Sequence, residues 1–336
     1  MAPGRGGAEG GMTRGFLLGK FLPPHNGHLL LCEAARALVD ELTILVCWLP
    51  DDPIPGEQRL AWMRALVPDA RVVGHGAVVP QAPEDHPDFW AIWRGIVRDA
   101  HPDPIDRVFA SEAYGHRLAT ELGAKFHPVD PERLAWPVSG TAARADPWAH
   151  WPSLPRPVRA HFARTVCLHG PESTGKSMLS AALAAHYRTL HVPEYGRSWC
   201  AEHGNAPSPD DLIDIARTQD AMAMSMRGDC DRLLILDTDR LMTIVWGQML
   251  HGRRDPRLEA GGMPADLYLM LEGDVPWIDD GTRLFGDHVV RRRFADICRN
   301  ELSRRGVAWA AIAGPFDDRL SRAIAAIDAH FAIGTS

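Results

Sequence analysis

Apolar residues fall in short continuous runs separated by polar, Gly- or Pro-containing stretches, and the runs recur in a strand-then-helix rhythm. Residues 15–19 (GFLLG) are apolar, the chain breaks at a Pro-containing turn over 21–26, and an apolar-rich segment follows over 27–39. That order predicts strand, loop and helix. Residues 42–49 form a second unbroken run, as suits a parallel strand buried on both faces, with shorter candidates at 71–73 and 108–110. Past residue 145 the stretch DPWAHWPSLPRPVRAHFAR mixes prolines and aromatics without periodicity, and a fresh strand begins at 165. The second half then repeats the alternation, with strand 165–169, helix 176–187 and strands 232–236 and 267–271. The pattern predicts two α/β domains in series, 14–160 and 161–332, each a parallel sheet with covering helices, behind a flexible Gly-rich leader over 1–13.

Composition narrows this picture. A length of 336 residues suits two domains, and 46% hydrophobic with 24% charged residues suits packed cores. No stretch approaches the ~20 apolar residues of a membrane span, and the run 16–18 is far shorter than a signal-peptide core of about 7 to 15 residues. The expectation is a cytoplasmic protein with no membrane partner. A formal charge of -7, with no room for a helix-turn-helix before residue 14, argues against nucleic acid as a partner. Six scattered cysteines without a Cys-x-x-Cys pair signal neither a disulfide framework nor a zinc cage. Lysine is rare: only Lys20, Lys125 and Lys176, against 33 arginines. A chain this rich in Arg keeps Lys where a compact point charge is required, and two of the three lie in the motifs below.

The string GPESTGKS over 170–177 matches G-x-x-x-x-G-K-S in full, between a strand and a helix. Gly170, Glu172, Ser173, Thr174 and Gly175 build a loop whose backbone approaches phosphates. Lys176 reaches the β- and γ-phosphates of ATP, and Ser177 is a ligand for Mg²⁺. The run Leu233 to Leu236 ends in Asp237-Thr238-Asp239. Asp237 is the candidate metal-organising carboxylate, whereas Asp239 either orients a substrate hydroxyl or caps the next helix. Further on, VPWIDDGTR places Trp277, Asp280 and Arg283 in a loop fit to cover a transferring phosphoryl group, and Arg291 to Arg293 read mostly as helix surface.

In the first half, GKFLPPHNGH ends a strand and opens a helix, so Gly19, Lys20, Phe21, His25 and His28 face the carboxyl end of the sheet. Two imidazoles three residues apart hydrogen-bond phosphate oxygens, and no third ligand nearby supports the rival zinc reading. Late in this domain Ser139, Thr141 and Arg144 form S-x-T-x-x-R, an anion site when paired with the His motif and otherwise a plain N-cap.

These strings, with EQRLAWM, HPDFWAIW, VFASE and EYGR between them in order, resemble the NadR family, which joins nicotinamide-mononucleotide adenylyltransferase to ribosylnicotinamide kinase. The resemblance implies a Rossmann-like nucleotidyltransferase domain followed by a P-loop kinase domain. It implies that His25, His28, Ser139, Thr141 and Arg144 handle ATP phosphates, that Trp90 or Trp93 stacks on nicotinamide, and that Glu194, Tyr195 and Arg197 of EYGR bind the riboside. Nicotinamide riboside, nicotinamide mononucleotide and ATP are then the small-molecule substrates. A homo-oligomer stays open. Two departures follow: a repressor domain is not expected here, and Ala142 stands where many relatives carry Lys, which weakens the phosphate site of the first domain. The rival readings are an adenylyltransferase and kinase pair for a flavin or pantetheine nucleotide, and a nucleotide sensor whose first domain only binds.

Overall fold

Each apolar run becomes a strand because helices cover both of its faces. In the computed structural model, which describes residues 12–277 and 284–334, the chain divides into two compact units, Met1–Val158 and Arg159–Ser336. The first holds β1 (Arg14–Gly19), β2 (Glu41–Cys47), β3 (Arg71–His75), β4 (Arg107–Ala110) and β5 (Lys125–Pro128), all parallel, in the order β3-β2-β1-β4-β5. Between them run α1 (Asn26–Arg36), α2 (Gly56–Leu66), α3 (Phe89–Ala100) and α4 (Tyr114–Leu122), and α5 (Gly140–Ala145) follows. Side chains alternate across a strand. Leu17, Ile44, Val46 and Phe109 therefore pack on one face with Leu31, Cys32, Leu60 and Met63 from α1 and α2. Phe16, Leu45, Cys47 and Val108 pack on the other with Trp93, Val97, Leu118 and Ala119 from α3 and α4.

The division at 158 falls within α6 (Arg156–Phe162). The second unit contains β6 (Arg164–His169), α7 (Lys176–His186), β7 (Leu190–Val192), α8 (Tyr195–His203), α9 (Pro209–Met226), β8 (Leu233–Leu236) and α10 (Arg240–His251). After them come α11 (Pro256–Glu259), β9 (Leu267–Leu271), α12 (His288–Arg305), β10 (Trp309–Ile312) and α13 (Phe316–Phe331). Its sheet is again parallel, in the order β10-β9-β6-β8-β7. No described helix is long and apolar enough to cross a membrane.

Several boundaries differ from the reading of the sequence. The run over 42–49 leaves the sheet at Cys47, and the helix over 27–39 stops at Arg36, where Ala37 caps it. Three strands went unread: β5, β7 and β10. All three are edge strands. Residues 1–11 of the leader lie outside the described residues, whereas Thr13 already donates to the Asp40 carboxylate and accepts from the Asp40 and Glu41 amides.

Candidate active sites

In the first unit, strand order reverses between β1 and β4, and a cavity of about 740 Å³ opens at their carboxyl ends. Gly19, Lys20, Phe21, His25 and His28 from the first motif line it, as do Ser139, Thr141 and Arg144 from the second. Trp90 and Trp93 of α3 complete the set, so the residues of both motifs and the two candidate stacking tryptophans face one space.

The His motif owes its shape to local strain and to its own hydrogen bonds. Phe21 sits at φ 47°, a left-handed conformation unfavourable for an aromatic residue, and is held there because its side chain is buried in the α1 face of the core and packs on the His28 ring at 4.9 Å. His28 Nδ1 accepts the His25 backbone N–H at 3.2 Å. A neutral His28 therefore carries its proton on Nε2, which is left as a donor. The two imidazoles lie 3.8 Å apart, and His25 Nδ1 is buried without a hydrogen-bond partner among the described residues. Burial, helped by the charge of Arg133, pushes His25 down to about 4. Burial, the neighbouring His25 and Arg133 hold His28 well below its ordinary value. Both rings are neutral donors and acceptors at pH 7.

The S-x-T-x-x-R segment is fastened to that loop. Ser139 Oγ caps α5 by accepting the Ala142 amide at 3.1 Å, which leaves its hydroxyl proton to donate. Arg144 Nη1 donates to the Leu22 carbonyl at 2.7 Å, and a Cβ on Gly140 would stand 3.0 Å from the same oxygen, so glycine allows the close approach. Trp93 is buried, with its indole N–H on the Pro80 carbonyl, whereas Trp90 is half-buried with the Arg117 guanidinium 5.7 Å from its ring.

Three further residues belong to this site and escaped the reading of the sequence. Arg59 on α2, with a fully buried side chain, donates to the Lys20 carbonyl at 2.7 Å and to the Cys47 carbonyl, and pairs with Asp52 at 2.6 Å. Asp52 lines the cavity. Arg133 reaches the cavity because Asp130 accepts the amides of Leu134, Ala135 and Trp136, curling the loop after β5, and it pairs with Glu112 at 3.1 Å. The only signal for Arg59 was its place inside EQRLAWM.

In the second unit a cavity of about 480 Å³ lies at the carboxyl ends of β6 and β8. Glu172 to Ser177 line it together with Glu194, Arg197 and Asp237. Gly170 stands behind it at φ 135°, where a Cβ would come within 2.6 Å of the Leu271 carbonyl. Lys176 Nζ donates to the carbonyls of Gly170 and Pro171 at 3.0 and 2.9 Å. Asp237 is buried, and its Oδ1 has no hydrogen-bond partner among the described residues. Burial raises the Glu194 carboxyl above its ordinary value.

Other residues stand elsewhere. Of the two roles open for Asp239, the structure shows the cap: Oδ1 accepts the amides of Leu241 and Met242 at the start of α10, and Oδ2 accepts the Tyr268 hydroxyl. The strand ends at Leu236, so alternation along an extended chain no longer brings Asp239 to the side of Asp237. Asp239 does not line the cavity. Tyr195 opens α8 with its amide on Gln219 and also lies off the cavity wall. Trp277 packs against Gly286, and its buried indole N–H has no hydrogen-bond partner among the described residues. Arg291 folds back onto the Val275 carbonyl, while Arg292 and Arg293 are exposed. Asp280 and Arg283 lie outside the described residues.

A cytidylyltransferase-like family model matches residues 16–145, and an AAA domain model matches residues 165–319. The chain is 27% identical over 336 residues to the trifunctional NAD biosynthesis/regulator protein NadR of Salmonella typhimurium, an overlap spanning 92% of this chain and 81% of that protein. Its fold is similar to a crystal structure of NadR protein in complex with NR, with a TM-score of 0.77 at 19% identity over 95% of this chain and 96% of that one. A NadR structure in complex with NAD and AMP-PNP aligns with a TM-score of 0.75 at 20% identity, over 96% and 97%.

Proposed function

We propose that the chain is an enzyme of the NadR type that makes NAD from nicotinamide riboside in two ATP-consuming steps, the kinase step in residues 161–332 and the adenylyl transfer in residues 14–160. The observation that carries this reading is the sorting of the two motif sets into two cavities. The His motif shares one with S-x-T-x-x-R, and the P-loop shares the other with Glu194, Arg197 and Asp237.

In the kinase step the 5'-hydroxyl of the riboside attacks the γ-phosphate of ATP, giving nicotinamide mononucleotide and ADP. Lys176 directs two of its three protons to its own loop, which fixes the ammonium and leaves one proton and the charge for phosphate oxygens. Glu194 and Arg197 bind the ribose hydroxyls. The buried Asp237 Oδ1, which has no hydrogen-bond partner among the described residues, and the Ser177 hydroxyl in the same cavity are a hard oxygen donor set that fits a magnesium ion. When bound, such an ion would neutralise phosphate charge.

In the second step a phosphate oxygen of the mononucleotide attacks the α-phosphate of a second ATP, giving NAD and pyrophosphate. The neutral His28 donates through Nε2–H, Ser139 donates its hydroxyl proton, and Arg144 supplies positive charge while holding the Leu22 carbonyl. No covalent enzyme intermediate is required, because positioning and charge stabilisation supply the rate.

The test is to incubate the chain with magnesium, ATP and nicotinamide riboside and to separate the products chromatographically, with Lys176→Ala and His28→Ala alongside. Lys176→Ala should stop at riboside and His28→Ala at mononucleotide. Untouched riboside with the unaltered chain would sink the substrate assignment, and mononucleotide that never becomes NAD would make the first unit a binding module.

A further inference from the structure

Glu172 is the one acidic residue of the phosphate loop, and a carboxylate beside a polyphosphate site is an electrostatic liability unless its charge is engaged elsewhere. Its side chain is buried, and both oxygens are engaged: Oε1 accepts the Phe285 amide, and Oε2 accepts the Leu284 amide at 3.2 Å. Leu284 lines the kinase cavity with Trp246 and Leu250. Phe285 packs on Trp246 at 5.9 Å and on the fully buried Phe294 at 5.7 Å, so the segment Glu172 grips is tied to an aromatic cluster.

We propose that Glu172 is a positioning residue that sets the distance between the phosphate side of the kinase cavity and its nucleoside side. The carboxylate holds the backbone of Leu284 and Phe285, and with it the Leu284 and Trp246 wall, in register with Lys176 and Asp237. Phosphoryl transfer requires the acceptor hydroxyl within about 3–3.5 Å of phosphorus, and a misplacement of about 1 Å costs up to ~10²-fold in rate. Glu172 therefore acts on nucleoside placement rather than on ATP.

The inference rests on the kinase reading, and its test separates the two. Glu172→Gln keeps the shape but sets an NH₂ against a backbone N–H, so one of the two bonds is lost and the other loses its charge assistance. Expected are a rise of about tenfold in KM for nicotinamide riboside with a lower kcat, a KM for ATP within about twofold, and faster hydrogen exchange at the Leu284 and Phe285 amides. Glu172→Asp, which keeps the charge on a shorter arm, should fall between the two and serves as the readout if Glu172→Gln does not fold. NAD formation from added mononucleotide, carried by the other unit, should be unaffected in both. An increase confined to the KM for ATP, or unchanged exchange at 284–285, overturns the proposal. If the unaltered chain leaves the riboside untouched, the substrate assignment has failed instead, and the amide-exchange arm still decides whether Glu172 is the clamp.

Discussion

Replacing Arg59 with methionine removes a fully buried guanidinium that touches no substrate in the proposed chemistry, yet its loss should disable the adenylyl-transfer site alone. Three contacts go at once: the Lys20 carbonyl at 2.7 Å, the Cys47 carbonyl at 3.4 Å and the Asp52 carboxylate at 2.6 Å. Removing one partner of a buried ion pair costs about 3–5 kcal/mol, because the remaining charge stays buried without compensation. A domain holds only about 5–15 kcal/mol in total, and at this size each kcal/mol moves the melting temperature by about 2–4 °C. The first unit should therefore melt roughly 6–20 °C lower, followed by calorimetry of the whole chain with its transition identified by the shift that added mononucleotide produces. Adding Asp52→Asn removes the stranded charge and should recover about half of the loss.

The pH dependence has a defined sign. Burial, the largest influence on Asp52, would raise its carboxyl, but the Leu49 amide and Arg59 together hold it below the ordinary value. A lowered folded-state value gives stability that is full above the unfolded value of about 3.9 and is lost as pH falls through the folded one. In the methionine variant that term disappears, so the gap to the unaltered chain should narrow below about pH 4. Turnover of riboside to mononucleotide should persist while NAD formation falls. A variant melting within about 2 °C of the unaltered chain, or losing both activities in parallel, would refute the reasoning.

Three shorter tests bear on the two sites. His28→Ala should lower kcat for NAD formation from mononucleotide by about 10²–10³, the usual value of one donor to a developing anion, and a loss under tenfold would remove His28 from that role. Asp237→Asn should reduce ADP release with riboside by about 10² or more, while Asp239→Asn, an equally good N-cap, should keep turnover within the same order of magnitude; equal losses would contradict the capping geometry. His25, held at about 4 mainly by burial against an ordinary 6.5, leaves the unfolded chain binding the proton first, so stability is full above about pH 6.5 and declines by on the order of 3 kcal/mol toward pH 4. His25→Asn should flatten that decline in urea titrations at pH 7.5 and 4.5, and parallel curves for the two proteins would rule it out.

What could be read from the sequence was what needs no partner to be recognised. Central strands such as β8 and β9 are apolar at nearly every position because both faces are covered, and phosphate loops betray themselves by glycine, lysine and histidine at fixed spacing. Edge strands carry a weaker pattern: Leu190 in β7 and Trp309 in β10 are more than a third exposed, and LHV or WAAI is too short to stand out. Asp239 was ambiguous because the argument from alternation assumed a strand that ends three residues earlier. Arg59 and Arg133 look like ordinary surface arginines until the fold brings a carbonyl, or a loop curled by Asp130, to meet them.

The excess of arginine over lysine acquires a physical sense from these contacts. A loop that turns its amides toward a phosphate turns carbonyls the other way, and buried carbonyls require donors. Arg59 supplies them behind Lys20, and Arg144 behind Leu22. In the second unit Arg319, only 2% exposed, spreads its fork over the carbonyls of Thr174, Gly314 and Glu272 at 2.9–3.0 Å and pairs with Asp274. A planar guanidinium with five donors satisfies several carbonyls in different directions at once, which a single ammonium on a flexible stem does poorly. Lysine is retained instead at Lys20 and Lys176, inside the loops themselves, where one movable point charge is suited to an anion that arrives and leaves. The same division of labour in both units, arginine behind the loop and lysine within it, makes the rear of each phosphate loop as much a part of the site as the residues that face the cavity.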